Sequence, residues 1–428
     1  VSEWTVVGLM AFLFVLFGVL GVPVPFAIIA SVMIGVLLTD ISLATVVAEM
    51  FNGINVVPLL AVPFFILLGE IMASSNVTER LVRFAQALVG HIRGGLAQVV
   101  TVVSMFFAGI SGSSSADVAA IGRVMLPPMK REGYNPPNSA ALVAAASTIA
   151  NMIPPSIMAI VYGAIGGVSI VALFVGGVVP GVMVGIGLMV YSYFTFSQTV
   201  RERSSLEEVA RAGGASVVPL LVPFIIIAGI LGGYFTPTEA GMVAVVYTIV
   251  VVIPLLVRGH LRNLPEDFMK AAVLYSLPMM AVAGASALAY VIAYLRAPEA
   301  ITGLVEAIAG TNPTLIMVLI VVALVIAGDF LDAIPTIVIS MPVIAVLVEL
   351  GGIDPVHMGV VAIVTLAFGL ITPPYGLALL LAATFAEVPF SQALVKALPI
   401  YVVFFVVISL LVLLPDLVLW LPGLFDLV

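Results

Sequence analysis

Two short stretches gather oxygen ligands inside otherwise apolar sequence. "GISGSSSAD" (109–117) sets glycines, the hydroxyls of Ser111, Ser113, Ser114 and Ser115, and the carboxylate of Asp117 close together. "GDFLDAIPT" (328–336) carries Gly328, Asp329 and Asp332. Two further stretches, "ANMIPPSI" (150–157) and "FGLITPPYG" (368–376), break apolar runs with Pro154–Pro155 and Pro373–Pro374, preceded by Asn151 and by Gly369 and Thr372. A proline removes an amide donor and clashes with the carbonyl one turn back, so each pair frees main-chain carbonyls. In hydrocarbon such groups must find partners, and interrupted membrane helices use them to bind cations. Hydroxyls, carboxylates and carbonyls, with no cysteine in the chain, suit a hard cation such as Na⁺. The plainer alternatives are a kink repaired by Ser147, Thr148 or Thr372, close helix packing by the small residues of "SGSSS", and Asp117 as a helix N-cap.

The elements holding these residues belong to a membrane protein. Of 428 residues, 63% are hydrophobic and 8% charged, with a mean hydropathy of +1.32, too little charge to cover a soluble surface. Apolar runs fall at about 4–21, 23–39, 56–74, 138–165, 170–194, 216–232, 240–257, 271–295, 357–383 and 392–414, giving about ten transmembrane helices. Acidic Glu3 precedes the first run where a signal peptide would be basic, so it reads as a retained helix. Stretches 95–129 and 314–350, interrupted by the two oxygen-rich segments, read as re-entrant helical hairpins. With the hairpins not crossing, one side receives Arg80, Arg83, Arg93, Arg123, Lys130, Arg131, Arg201, Arg203, Arg211, Arg258, Arg262, Lys270 and Lys396, and the other only Arg296. The positive-inside bias makes the basic side cytoplasmic and both termini periplasmic.

The chain also repeats itself. "VPLLAVPFFILLGEIMA" (57–73) matches "LPMMAVAGASALAYVIA" (277–293), and the Asp117–Pro127 and Pro136–Pro154 spacings recur as Asp332–Pro342 and Pro355–Pro373. Each copy places an amphipathic stretch before its hairpin, 77–93 with Leu81, Phe84, Ala85, Leu88 and Ile92 on one face, and 298–310 with Ile301, Leu304, Val305 and Ile308. These read as helices in the membrane interface. Five crossings separate the copies, which are therefore inverted, the architecture of secondary transporters. The expected organisation is all-α: scaffold helices in 1–56, repeat 1 in 57–169, scaffold helices in 170–276, repeat 2 in 277–386, and a C-terminal helix and tail in 387–428.

Other residues carry competing readings. Arg296 is either a helix-end arginine snorkelling to the interface or the partner of a substrate carboxylate. Glu70 lies deep in the third crossing, and Glu239 opens a helix as a dipole-favoured acid. "GISG" (109–112) also fits the nucleophile turn of an intramembrane serine protease, but His91, His260 and His357 all fall at loops or helix ends. A channel would need a continuous polar path, whereas the polar residues cluster at two depths. No Gly-rich phosphate loop for ATP is present in the sequence.

"GISGSSSADVAAIGRVMLPPMKREGY", "ANMIPPSI" and "FGLITPPYG", in this order, resemble the large membrane (M) subunit of tripartite ATP-independent periplasmic (TRAP) transporters, over essentially the whole chain. The resemblance implies a multi-pass protein of the bacterial or archaeal inner membrane, in the ion-transporter superfamily, working as a Na⁺-coupled elevator with two or more ions. It implies two partners, a small four-helix membrane (Q) subunit, here a separate polypeptide, and a periplasmic substrate-binding (P) protein. It places one sodium site between Ser111–Ser115 and Asn151–Pro154, naming Ser111, Ser113, Asn151 and Pro154, and a second between Gly328–Asp332 and Gly369–Pro373, with Thr372. The substrate, an organic acid such as a C4-dicarboxylate or a sialic acid, would sit between them near Ser113, Ser114, Ser115 and Asp117, with Arg296 a candidate partner. No enzyme activity and no nucleic-acid partner is expected.

Overall fold

A computed structural model describes residues 3–75, 77–197 and 202–428, with Arg258 described by its backbone alone. Arg201, one of the basic-side residues, lies outside the described residues. All regular secondary structure among the described residues is helical.

The chain opens with α1 (Glu3–Val19), α2 (Val24–Val36) and α3 (Leu43–Ile54). The first two fill the first two expected crossings, though α2, at 13 residues, spans only about 20 Å. α3 is not an apolar run. It starts at Ser42, whose hydroxyl accepts from the Thr45 amide at 3.1 Å, and buries Val46 while Leu43, Val47 and Phe51 stay exposed. Val6, Met10, Ile28, Val32 and Val46 form a small core of their own with Ala287 and Val291.

A 3₁₀ turn (Val57–Leu60) leads into α4 (Ala61–Ser74), followed by α5 (Val77–Val89), the first amphipathic arm. α6 (Leu96–Ser111) and α7 (Ser114–Arg131) pack against each other as the first hairpin. The first broken crossing is α8 (Pro136–Ser147), a 3₁₀ turn over Thr148–Asn151, and α9 (Ile157–Gly166). With 12 and 10 residues, α8 and α9 extend about 18 and 15 Å from the break, which puts it near the middle of a bilayer-sized path.

α10 (Ile170–Thr195) follows, then α11 (Leu206–Leu231), begun by a Ser205/Glu208 capping box, and α12 (Pro237–Tyr247), begun by a Thr236/Glu239 capping box. Glu239 is thus a capping residue, its carboxylate accepting from the Thr236 amide at 2.8 Å. A π turn (Thr248–Val252) joins α12 to α13 (Ile253–Leu256), and α14 (Leu264–Tyr294) begins the second copy. α15 (Ala297–Ala309) is the second arm. α16 (Pro313–Phe330) and α17 (Ala333–Gly351) form the second hairpin. The second broken crossing is α18 (Pro355–Gly369) and α19 (Leu377–Phe385), and the chain ends in α20 (Phe390–Leu413) and α21 (Asp416–Gly423).

Eight helical segments among the described residues are long and apolar enough to cross a membrane. They include α16 and α17, each long enough alone, so length does not separate a hairpin arm from a crossing. What separates them is their meeting point, since both hairpin tips reach one internal cavity. The remaining crossings expected from sequence are the short α1 and α2 and the two broken helices.

The two arms are held differently. α5 lies between α6 and α11, with Leu81 and Ala85 buried and Phe84 stacked on Phe106 at 5.5 Å. α15 packs mainly on α17 and buries Val305 and Ala309, while Leu304 and Ile308 of its expected apolar face are 62% and 59% exposed. That face is left uncovered by the rest of this chain.

The sequence reading groups α10 with the scaffold, but its main chain is seated on the first break. A Cβ added to Gly177 would fall 2.3 Å from the Met152 carbonyl oxygen, and one on Gly181 would fall 2.6 Å from the Ile153 side chain. α20 reaches the second break through a side chain, the Tyr401 hydroxyl donating to the Ile371 carbonyl at 2.7 Å, and meets the start of α18 where His357 Nε2 lies 2.7 Å from the Leu411 carbonyl. The helix after each broken crossing therefore packs with the hairpin core. α14 instead packs on α2, α3, α4 and α17.

Candidate ion and substrate site

Hairpin 1 turns at Gly112, whose φ of +61° suits a residue without a side chain. A Cβ there would also lie 2.4 Å from the Pro155 carbonyl oxygen, so the tip meets the break main chain to main chain. Four hydrogen bonds stitch and brace this junction. The Ile157 amide donates to the Gly112 carbonyl (3.3 Å), and Ser114 Oγ donates to the Ser147 carbonyl (3.0 Å). Asn151 Nδ2 donates to Ser114 Oγ (2.5 Å), and Ser156 Oγ donates to the Asn151 carbonyl (2.5 Å). The hydroxyls of Ser147 and Thr148 donate back to Ala144 and Ala145 at 2.7 and 2.8 Å. The local repair expected of a simple kink is therefore present, and the tip contacts come in addition to it.

Within the tip, Ser113 and Ser115 place their hydroxyl oxygens 3.0 Å apart. Ser111 donates to Asp117 Oδ1, and Asp117 Oδ2 is buried without a hydrogen-bond partner. Asp117 is fully buried and lies outside the cavity lining, in the first turn of α7, whose N-cap residue is Ser113. Ser111 is likewise buried behind the tip, packed near Gly69 of α4.

At the second junction, Gly328 and Gly369 touch through their backbones, a Cβ on Gly369 falling 3.1 Å from the Gly328 carbonyl oxygen. Thr372 Oγ1 donates to Asp329 Oδ1 (2.5 Å), with the Gly369 carbonyl 3.0 Å away, and the Tyr375 amide donates to the Asp329 carbonyl (2.9 Å). Asp329, not Asp332, is the acid that engages this break. Asp332 N-caps α17 by accepting from the Ala333 amide (2.9 Å). It faces the cavity shared with hairpin 1.

That cavity, about 110 Å³, is lined by Ser113, Ser114 and Ser115 of the first tip, Asn151 of the first break, Asp332 and Ile334 of the second hairpin, and Leu370 beside the second break. Ile66 and Glu70 of α4 and Leu274 and Pro278 of α14 form the opposite wall. The structure thus brings Ser113, Ser114, Ser115, Asn151 and Asp332 to one space. Pro154 and Gly328 lie behind it at their junctions, with Gly369, Thr372 and Pro373 around the second. Arg296 is exposed at the start of α15 with a φ of +50° and does not line the cavity. Sequence reasoning left Glu70 without a role; only the packed face of α4 shows that it looks inward.

One cluster near the end of α4 could be mistaken for a nucleophile site. Ser74 Oγ lies 3.2 Å from His260 Nε2, and Asp267 Oδ2 lies 2.7 Å from the same nitrogen, with His260 and Asp267 buried. In a serine–histidine–aspartate triad the serine and the acid use opposite ring nitrogens. Here both face one nitrogen, which makes a polar clasp between α4 and the start of α14. Ser111, the nucleophile a protease would need, is committed to Asp117.

Residues 9–417 match the family model described as "Tripartite ATP-independent periplasmic transporter, DctM component". The chain is 34% identical to the sialic acid TRAP transporter large permease protein SiaM of Vibrio cholerae, over 95% of this chain and 96% of that protein. It is 35% identical to the C4-dicarboxylate TRAP transporter large permease protein DctM of Pseudomonas aeruginosa, over 89% and 90%. Among solved structures, the YdaH transporter of Alcanivorax borkumensis superposes with a TM-score of 0.58 at 16% identity, covering 90% of this chain and 88% of that one, a likeness of fold alone. With a family match across nearly its whole length, the chain belongs to the tripartite ATP-independent periplasmic transporters as their large, multi-pass membrane permease, and it is a transporter component and not an enzyme.

Proposed function

We propose that this permease carries an organic acid inward in symport with Na⁺. The observation that carries the reading is the convergence of two tip–break junctions on one cavity, the first built from hydroxyl, amide and carbonyl groups and the second from hydroxyl, carbonyl and carboxylate oxygens. Sodium would sit at the Ser113–Asn151 junction and at the Gly328–Thr372 junction, where hard oxygen donors cluster. The acid would occupy the cavity between them, against Ser113, Ser114 and Ser115. A carboxylate substrate is the class named for the sialic acid and C4-dicarboxylate relatives. Bound cations add positive potential beside the acid, so each ligand raises the affinity for the other by linkage.

In this reading the hairpins, broken helices, α10 and α20 move as one body against α1–α4 and α11–α14, an elevator motion. The acid arrives on a periplasmic binding protein, and a small membrane subunit joins the permease in the inner membrane, with the basic loops cytoplasmic. The test is uptake into proteoliposomes holding both membrane subunits, with binding protein outside, in Na⁺ and then in K⁺. Uptake that requires Na⁺ supports the reading; equal rates in both salts remove it.

A further inference from the structure

The charged side chains lining the cavity are Glu70 and Asp332, both acids. An organic anion entering alone would meet two negative charges in a partly desolvated space, where repulsion is weakly screened. Asp332 is committed to capping α17. Glu70 is half-buried on the opposite wall, one turn before the end of α4 that leads to Arg80 and Arg83. Its turn is fixed from behind, because Ser74, four residues on, donates to the Glu70 carbonyl (2.8 Å) and abuts the His260–Asp267 pair. Lys270 of α14 is the main basic charge acting on Glu70, with Arg123 adding to it and Asp267 and Glu266 opposing it, but the ion pair of Lys270 is with Glu266 at 2.8 Å.

From this geometry we infer that Glu70 is a cation-recruiting residue: its negative field draws Na⁺ into the cavity ahead of the acid and keeps the acid out until the cation is there. Among the described residues no hydrogen bond joins its side chain to either tip–break junction, and it is not proposed as an ion ligand. Its effect is on the local concentration of cations in a low-dielectric cleft, which focuses field lines. Order of binding follows, sodium first and the organic anion second. The inference rests on the sodium reading proposed above.

The test uses Na⁺ alone, titrated into the purified two-subunit membrane complex with choline holding ionic strength constant, and read as the rise in thermal-unfolding midpoint. Glu70→Gln is expected to raise half-saturating Na⁺ by about threefold to tenfold, as loss of one nearby charge implies. Lys270→Gln is expected to lower it by about twofold, since it removes an opposing charge. Opposite signs from the two variants cannot come from impaired folding. The Glu70→Gln shift should shrink as salt rises from about 0.05 M to 0.5 M, because the effect acts through space. A wild-type complex that responds to Na⁺ together with a Glu70→Gln complex that responds identically overturns the proposal and leaves the sodium reading standing. Shifts of the same sign in both variants, or a Glu70→Gln shift independent of salt, also overturn it. A wild type indifferent to Na⁺ overturns the sodium reading, and this inference with it.

Discussion

The two tip–break junctions are built on one plan and finished differently. At the first, Asn151, Pro154 and Pro155 are buried, and Gly112 is pressed against the Pro155 carbonyl with α10 seated behind the break. At the second, Pro373 and Pro374 are exposed, Asp329 is half-buried, and the contact is made by a threonine–aspartate hydrogen bond and two facing glycines. The first junction is thus buried, with a close main-chain contact and a hydrogen-bond network, while the second is more exposed and rests on fewer hydrogen bonds. Inverted sequence copies can share their pattern of prolines and acids while dividing rigidity and adaptability between them.

That contrast can be broken or sharpened by substitution. The largest effect is expected from Gly112→Ala, which places a Cβ into the Pro155 carbonyl at a positive φ and should cost about 1–3 kcal/mol locally. Reconstituted uptake should fall to background, whereas Gly369→Ala, with a 3.1 Å approach that a small shift relieves, should keep measurable transport. Equal loss in both would erase the distinction between a rigid and an adaptable junction. Next, Asn151→Ala removes the donor that ties the first break to Ser114, and Thr372→Ala removes the donor to Asp329. Each should raise half-saturating Na⁺ in uptake assays, by about tenfold for Asn151 and less for Thr372, in line with the loss of one buried hydrogen bond.

Smaller still is Asp329→Asn against Asp332→Asn. The Asp329 change should weaken sodium dependence through Thr372. The Asp332 change should alter substrate half-saturation more than sodium, since Asp332 faces the shared cavity. The reverse ranking would reassign the two acids. Smallest is Arg296→Gln, at an exposed position outside the cavity, which should leave substrate half-saturation within about twofold, as for a surface change. A tenfold loss would show that Arg296 reaches the substrate path in another conformation.

Much of this was legible because membrane constraints are strong. The prolines, the oxygen-rich tips and the lopsided arginines and lysines locate hairpins, breaks and arms without any coordinates. Which acid of "GDFLD" meets the break was not legible, because α16 ends at Phe330 and Leu331 turns extended (φ −120°, ψ 153°), so helical spacing no longer predicts facing. α3 escaped because its apolar residues form a stripe and not a run. The seating of α10 had a readable signal in Gly177 and Gly181, small residues four apart that let main chains approach. Glu70 carried none, since the direction of one side chain on an apolar helix is decided by its neighbours.

The unequal anchoring of the two arms has a consequence for the surrounding bilayer. α5 is packed into protein with its stacked phenylalanine, whereas α15 leaves Leu304 and Ile308 exposed along one edge of hairpin 2, an apolar surface suited to acyl chains. A change in acyl-chain length shifts that surface, and mismatch costs fractions of a kcal/mol per Å. Such a change is therefore expected to load the second half of the protein through α15 more than the first, which makes membrane thickness a one-sided load on the second junction.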